Sequence, residues 1–289
     1  MTRLAVVGAT GLVGTKMLET IDRKHIQFDE LVLFSSARSA GKEIEFQGKT
    51  YTVQELTEEA ASEKFDYVLM SAGGGTSKQF APIFEKAGAI VIDNSSQWRM
   101  TNDVDLIVPE VNQPEFKRGI IANPNCSTIQ SVVPLKVLYD AFGLKRVAYT
   151  TYQAVSGSGV KGKRDLAEGA NGKAPEAYPH PIYNNVLPHI DVFLEDGYTK
   201  EEQKMIDETR KILGQPDLRV TATCARVPVQ DSHSVEIDVT LDKEATVQEI
   251  KDLFENDNRV VLVDNPENNE YPLAINSTGK DEVFVGRIR

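Results

Sequence analysis

Between Leu4 and Ile21 the chain passes from the continuously apolar stretch Leu4-Ala5-Val6-Val7, through the turn Gly8-Ala9-Thr10-Gly11-Leu12-Val13-Gly14, into the spaced apolar residues Val13, Met17, Leu18 and Ile21. An unbroken apolar run bounded by turn residues reads as a strand buried on both faces, and recurrence at three- and four-residue steps reads as a helix with one buried stripe. A strand buried on both faces needs helices above and below a parallel sheet, reached by right-handed crossovers. Leu31-Val32-Leu33-Phe34, Tyr67-Val68-Leu69-Met70 and Ile90-Val91-Ile92 repeat the strand signal, with a helix near Ser77 to Ala87 between the last two. Lys42 to Val53 alternates in the short β manner and predicts a side hairpin.

The pattern changes after Asn125. A helix is expected from Cys126 to about Phe142, followed by longer strands of period two at Arg146 to Ala154, Leu218 to Val227 and Ser234 to Leu241, with a helix from Lys200 to Leu213. The fold class is therefore α/β: an N-terminal Rossmann-like parallel-sheet domain over residues 1–125, followed by an α+β domain over residues 126–289. Ser156 to Pro188, rich in Gly, Lys, Pro and Asn, reads as a loop region or an interface arm.

With 43 acidic against 32 basic side chains, the net charge of −11 leaves no basic face for a phosphate backbone, so no nucleic-acid partner is expected. No apolar run approaches the ~20 residues of a membrane span, and Met1-Thr2-Arg3 leads straight into a strand, so a cytoplasmic protein without membrane contact is expected. Two cysteines form no disulfide framework, and four histidines form no metal-ligand spacing, so no metal is expected.

Gly8, Gly11 and Gly14 sit where a dinucleotide pyrophosphate meets a helix N-terminus, with Thr10, Leu12 and Val13 on the same turn. The same glycines also suit a turn that only brings strand and helix close. At the end of the second strand, where NAD sites place an acid for the ribose hydroxyls, stand Ser35, Ser36, Arg38 and Ser39. Hydroxyls and a guanidinium suit a 2′-phosphate, which favours NADP(H). A second glycine run, Ala72-Gly73-Gly74, closes the third strand.

Cys126 opens a helix in Asn123-Pro124-Asn125-Cys126-Ser127-Thr128, where the helix dipole and unpaired N–H groups favour a nucleophilic thiolate and could hold an oxyanion. The competing reading is a small buried hydrophobe; Cys224, in mid-strand, is assigned to packing. Arg226 and His233 flank a short turn between two strands and should share one end of that hairpin, an arginine to clamp a carboxylate and a histidine to move a proton. Arg226 shares a face with Leu218, Val220, Ala222 and Cys224, so a buried anionic partner is expected for it.

These elements, with Asp93-Asn94-Ser95-Ser96 before Trp98-Arg99-Met100, Val108-Pro109-Glu110-Val111-Asn112, and Gln153-Ala154-Val155-Ser156-Gly157-Ser158-Gly159, give a chain that resembles the bacterial aspartate-β-semialdehyde dehydrogenases along essentially its whole length. The resemblance implies NADPH-dependent reduction of L-aspartyl 4-phosphate to L-aspartate 4-semialdehyde, with release of inorganic phosphate, through a thioester on Cys126. His233 is then the acid/base and Gln153 orients the acyl intermediate. Asn125, Arg226 and Glu201 meet the substrate, Arg226 at its α-carboxylate and Glu201 at its amino group, while Arg99 and Lys204 receive the phosphate. Ser156 and Gly157 join the glycine loops on the cofactor, and the second domain builds a homodimer or homotetramer. Three departures stand out. The segment from Gly159 to Pro188 is short, Asp231-Ser232 replaces the glycine common before the histidine, and the family's further strand and long helix are expected to be missing after Arg289. The alternatives are a reductase of another acyl phosphate such as N-acetylglutamyl phosphate, a non-catalytic nucleotide-binding paralogue, and a cysteine hydrolase, which the glycine fingerprint disfavours.

Overall fold

A computed structural model describes all 289 residues, and the chain divides into two compact units, residues 1–107 with 113–124 and residues 108–112 with 125–289. The first is a seven-stranded sheet in the order β5-β2-β1-β6-β7-β9-β8. Its strands are β1 (Arg3–Val7), β2 (Glu30–Ser35), β5 (Gln54–Glu55), β6 (Tyr67–Met70), β7 (Ile90–Asp93), β8 (Asp105–Leu106) and β9 (Ile120–Ala122), and every pairing is parallel. Helices α1 (Leu12–Arg23), α2 (Glu58–Ala61) and α3 (Gly74–Lys86) form the crossovers, and β3 (Glu43–Phe46) with β4 (Lys49–Thr52) forms the side hairpin. The apolar runs are strands because both faces are covered: Ala5, Val6, Val68 and Val91 are all fully buried. The chain steps from β1 to β2 on one side and then to β6 on the other, so the strand order reverses at β1. A crevice at the carboxyl ends of β1 and β6 is the place where such sheets take ligands.

The second unit builds on a three-stranded sheet, β11 (Arg219–Arg226), β10 (Leu144–Gln153) and β12 (Ser234–Leu241), with β10 central. Along β10 the alternate residues Val147, Tyr149, Thr151 and Gln153 are buried, which gives the strand one inner face. Helices α4 (Cys126–Phe142) and α6 (Lys200–Leu213) supply Val133, Val137, Met205 and Ile212 to the core, and the buried Tyr149 hydroxyl meets Thr209 Oγ1 at 2.9 Å. The remaining elements are α5 (Gly159–Gly169), α7 (Val247–Glu255), α8 (Ala274–Ser277) and the parallel pair β13 (Val260–Leu262) and β14 (Val283–Val285).

Two expectations are corrected. β11 and β12 do not form a hairpin, since each pairs with β10 instead, parallel and antiparallel respectively. Alternation identifies strands but not their partners, and a link of a few residues can pass over one intervening strand. The stretch from Ser156 to Pro188 is not merely loop: it contains α5, and its Ile182 and Leu187, with Leu166 and Tyr178, form a small core on Val155. Its apolar residues lie too far apart in sequence to show a period, and Asp165 ties α5 to the following segment by accepting the N–H groups of Glu176 and Ala177.

Candidate active site

In the first unit the turn after β1 is a tight one. Gly8 has φ +83°, and a Cβ there would lie 2.5 Å from the Ser71 carbonyl oxygen, while one on Gly14 would lie 2.2 Å from the Gly8 oxygen. Those two glycines are required by packing alone. Gly11 has another use: it is the N-cap of α1 and offers no side-chain cap, and the first turn, with Leu12 and the exposed Val13, carries no acidic residue. The start of α3 repeats the arrangement, because Gly73 is its N-cap, again without a side-chain cap or an acid in the first turn, and a Cβ on Gly73 would meet nothing within 4 Å. Two uncapped helix N-termini at the carboxyl ends of adjacent strands, one next to Ala72 and Gly74, fit the phosphates of a dinucleotide. Thr10 Oγ1 and Ser35 Oγ are 2.9 Å apart across the ends of β1 and β2, and Ser36 and Arg38 are exposed beside them, whereas Ser39 is buried.

Arg99 also belongs to the first unit. It is buried, and its Nε and Nη2 donate to the carbonyl oxygens of Asn123 (2.9 Å) and Asn94 (3.0 Å), which ties together the loops after β9 and β7. Nearby, Asp93 is fully buried at the end of β7. Burial raises its pKa in spite of the hydrogen bond from Ser95 and the charge of Arg99.

The second unit gathers most of the remaining candidates. Asn125 is the N-cap of α4, and its Oδ1 accepts from Ser127 N–H (2.9 Å) and Thr128 N–H (3.2 Å). Those two amides are therefore occupied, which narrows the oxyanion expectation drawn from the helix start. The cap is neutral, so the helix dipole at Cys126 is not cancelled by a charge on the capping side chain. Asn125 is itself held, its backbone N–H by Glu208 Oε2 at 2.6 Å and its Nδ2 by Glu201 Oε1 at 2.8 Å. Cys126, exposed, places Sγ 3.2 Å from His233 Nε2.

His233 is fixed from three sides. Its Nδ1 accepts the Ala154 N–H at 2.9 Å, its carbonyl accepts from Gln130 Nε2 at 3.3 Å, and the loop before it is pinned to β10's exit by Val155 N–H to Val229 O (2.9 Å) and Ser156 N–H to Gln230 O (3.1 Å). Burial, then the nearby Arg226 charge, depress its pKa to about 4, against an opposing pull from Glu201. Ser232, which stands where the resemblance puts a glycine, adopts φ +72°, the left-handed region that glycine enters freely. The serine thus keeps a glycine-like conformation at a conformational cost.

Arg226 ends β11 opposite Gln153 on the same inner face. It is buried; Nη1 donates to Ala154 O at 2.7 Å, Nε has no partner, and no acidic side chain of the protein pairs with it. The expected internal anion is absent, which leaves the guanidinium free to take an anion from outside the protein. Gly157 lies over this pair, a Cβ there falling 3.1 Å from Arg226 Nη1 and 3.5 Å from His233 Nε2. Ser156 and Gly157, expected on the cofactor, lie in this second unit.

Glu201, in the first turn of α6, joins the others. Its Oε1 accepts from Asn125 Nδ2 and, at 3.1 Å, from Gln153 Nε2, while Oε2 meets Lys204 Nζ at 3.2 Å. Burial works to raise the Glu201 pKa, but Lys204 and the two amide donors outweigh it and hold the carboxylate ionised. Gln153 Oε1 accepts from Thr151 Oγ1 at 3.0 Å, which fixes its amide orientation. Lys204 has a second anion, Asp191 Oδ2 at 2.8 Å. Burial works to lower its pKa, but Glu201 and Asp191 raise it on balance. Cys224 is fully buried, and its thiol is pushed up to about 12, chiefly by burial. Sequence reading missed Glu208 and the Ala154 N–H. Glu208 was findable, because it lies two turns along the same α6 face as Glu201. A backbone donor leaves no residue-type signal. No group of three or more His, Cys, Asp or Glu is placed to hold a metal, and no helix is long and apolar enough to cross a membrane.

Comparison with known proteins matches the family described as semialdehyde dehydrogenase, NAD binding domain, over residues 3–118, and semialdehyde dehydrogenase, dimerisation domain, over residues 135–289. Cys126 falls between the two matches. An aspartate-semialdehyde dehydrogenase of Aquifex aeolicus is 52% identical over 99% of this chain and 88% of its own length. The solved aspartate semialdehyde dehydrogenase II of Vibrio cholerae complexed with ASA superposes with a TM-score of 0.94 at 42% identity, covering 100% of this chain and 88% of that one. The Candida albicans enzyme, solved with NADP, superposes with a TM-score of 0.78 at 25% identity, covering 100% and 89%. With a nicotinamide-dinucleotide domain in its first unit and such relatives along its length, the chain belongs to the aspartate-semialdehyde dehydrogenase family.

Proposed function

We propose that the chain reduces L-aspartyl 4-phosphate to L-aspartate 4-semialdehyde with NADPH and releases inorganic phosphate, in the biosynthesis of the aspartate family of amino acids. One observation carries the chemistry: an exposed thiol 3.2 Å from a fixed imidazole, beside a buried guanidinium with an unpaired Nε and no protein anion. The thiolate of Cys126 attacks the acyl carbon, the carbon–oxygen bond to phosphate breaks, and a thioester forms on Sγ. The leaving phosphate takes up the one proton the overall reaction consumes. The dihydronicotinamide, when bound, supplies the hydride that reduces the acyl group. Collapse of the resulting thiohemiacetal returns the electron pair to Sγ and frees the aldehyde.

The other side chains bind and orient. Arg226 receives the α-carboxylate, satisfying its orphaned Nε, and Glu201 meets the ammonium group while holding Gln153 toward the acyl group. Lys204 meets the phosphate in exchange for Asp191. Gly11, Leu12 and Val13 with Gly73 and Gly74 would hold the cofactor's pyrophosphate, and Ser35, Ser36 and Arg38 its 2′-phosphate, which is the reason to name NADPH over NADH. Assembly as a homodimer or homotetramer is supported by the dimerisation-domain match over residues 135–289.

The test is NADP⁺ reduction by L-aspartate 4-semialdehyde, with and without inorganic phosphate, and with NAD⁺ and N-acetylglutamate semialdehyde as competitors. Phosphate-dependent turnover with the aspartate aldehyde and NADP⁺ is expected. Preference for the N-acetylglutamate aldehyde would overturn the substrate, and preference for NAD⁺ the cofactor.

A further inference from the structure

His233 reaches Cys126 at the end of a loop whose fastenings leave a gap. On one side Val155 N–H and Ser156 N–H donate to the Val229 and Gln230 carbonyls at 2.9 and 3.1 Å. On the other, the His233 ring and carbonyl meet Ala154 N–H and Gln130 Nε2 before β12 begins at Ser234. Asp231 and Ser232 lie between these two sets of bonds. Ser232 is the residue at φ +72°, a region that an L side chain occupies only at a cost, so the loop is strained where it turns toward His233. Asp231 supplies a contact that opposes the strain. Its Oδ1 is 2.7 Å from Nζ of Lys163, in the middle of α5, with only 31% and 28% of the two side chains exposed. Lys163 stands on a fixed base. A Cβ on the neighbouring Gly162 would fall 2.6 Å from the Val155 carbonyl oxygen and 2.7 Å from Tyr178 Oη, so α5 lies directly against the segment that fastens the near side of the loop. The adjacent Arg164 is taken up by Glu168 and Glu176, which leaves the Lys163 ammonium to Asp231.

We propose that Lys163 and Asp231 form a strut that holds Ser232 in its left-handed turn and thereby positions the His233 imidazole against Cys126 Sγ. Both are positioning residues. An ion pair of this exposure changes a local equilibrium by up to about fivefold, comparable with the penalty of a left-handed serine, so the pair can offset the strain. The two are therefore coupled. The strut is needed because residue 232 carries a side chain, and a glycine there, free to adopt the same turn, makes it dispensable.

This rests on Cys126 and His233 as the reacting pair and is tested first without substrate. An adjacent base speeds attack by a thiol, so the rate at which iodoacetamide modifies Cys126 near neutral pH reports how well His233 is placed. The other cysteine, Cys224, is fully buried. Lys163→Met and Asp231→Asn should each slow the reaction about twofold to fivefold, and the double variant should be no slower than either alone. Lys163→Arg, which keeps the charge, should stay near wild type, and Lys161→Met, at an exposed position of the same helix, should change nothing. The deciding variant is Ser232→Gly, which added to Lys163→Met should restore the wild-type rate. Alkylation that ignores Lys163→Met, or a loss that Ser232→Gly does not repair, overturns the strut. If Lys163→Met does not fold, Asp231→Asn with and without Ser232→Gly decides the same question. In turnover the strut variants should lose kcat with KM for the aldehyde unchanged, because Arg226 and Glu201 belong to β11 and α6 and not to the loop; a rise in KM alone would count against the proposal. A chain that alkylates in this pattern yet never oxidises L-aspartate 4-semialdehyde would refute the proposed reaction and leave the strut standing.

Discussion

Glu201 is the side chain on which the site's geometry depends most, and replacing it gives a graded test. Its buried carboxylate accepts three hydrogen bonds, from the buried amides Asn125 Nδ2 (2.8 Å) and Gln153 Nε2 (3.1 Å) and from Lys204 Nζ (3.2 Å). In Glu201→Gln the amide oxygen can still accept from Asn125 and Gln153, but its NH₂ group must then face the Lys204 ammonium. One charge-assisted bond is lost, about 2–3 kcal/mol, and Lys204 falls back on Asp191. Glu201→Ala leaves both amides and the ammonium without this acceptor and should cost about 3–5 kcal/mol, the range for breaking a buried ion pair from one side. Chemical denaturation of the three proteins near neutral pH reads these differences. The same site predicts the kinetics: Gln153 stays anchored in the glutamine variant but not in the alanine one, so kcat should fall further in Glu201→Ala, while KM for the aldehyde rises in both. Equal stability of the two variants, or alanine the more stable, would show that the three bonds do not hold the site and would refute this reasoning.

Three other outcomes are expected. Ser232→Gly relieves a left-handed serine and should stabilise the chain by about 0.5–1 kcal/mol with turnover kept, a rise in unfolding midpoint being the check. Gly157→Ala should leave stability nearly unchanged but lower kcat/KM on the order of tenfold, because the new methyl presses on Arg226; unaltered kinetics would contradict that placement. The depressed pKa of His233 makes the unfolded chain bind the extra proton first, so its contribution to stability is complete above about pH 6.5 and is lost as pH falls toward about 4. A shift of that size amounts to about 3 kcal/mol, and it should appear as a steeper loss of stability in wild type than in His233→Gln over that interval.

Much of this was legible in the residues. The first unit's four long strands and its glycine turn follow from apolar runs whose burial on both faces leaves no polar alternation to confuse them, and α6 has the bounds expected from its spaced apolar residues, with a capping box and αL Gly214 at its two ends. β8 and β9, of two and three residues, carry too little pattern to see. The pairing of β11 and β12 with β10 was hidden because local alternation holds no information about partners. At the site, Cys126, His233 and Arg226 were named from type and motif and Glu201 from the family resemblance, and Cys126 and His233 lie 3.2 Å apart. What sequence could not supply were contacts that belong to backbone atoms or to long range: the Ala154 amide on His233 and Asp191 on Lys204. It also predicted an internal anion for Arg226, because burial of a charge implies a counter-charge but not whether protein or ligand provides it.

The measurement closest to the central claim is a rapid-mixing experiment with L-aspartate 4-semialdehyde and NADP⁺, first without and then with inorganic phosphate. If the acyl group passes through Cys126, the phosphate-free reaction should release a burst approaching one NADPH per chain and then stall as the thioester accumulates, phosphate should restart it, and Cys126→Ser should show neither phase. Steady turnover without phosphate, or a burst that survives Cys126→Ser, would contradict a thioester on that sulfur.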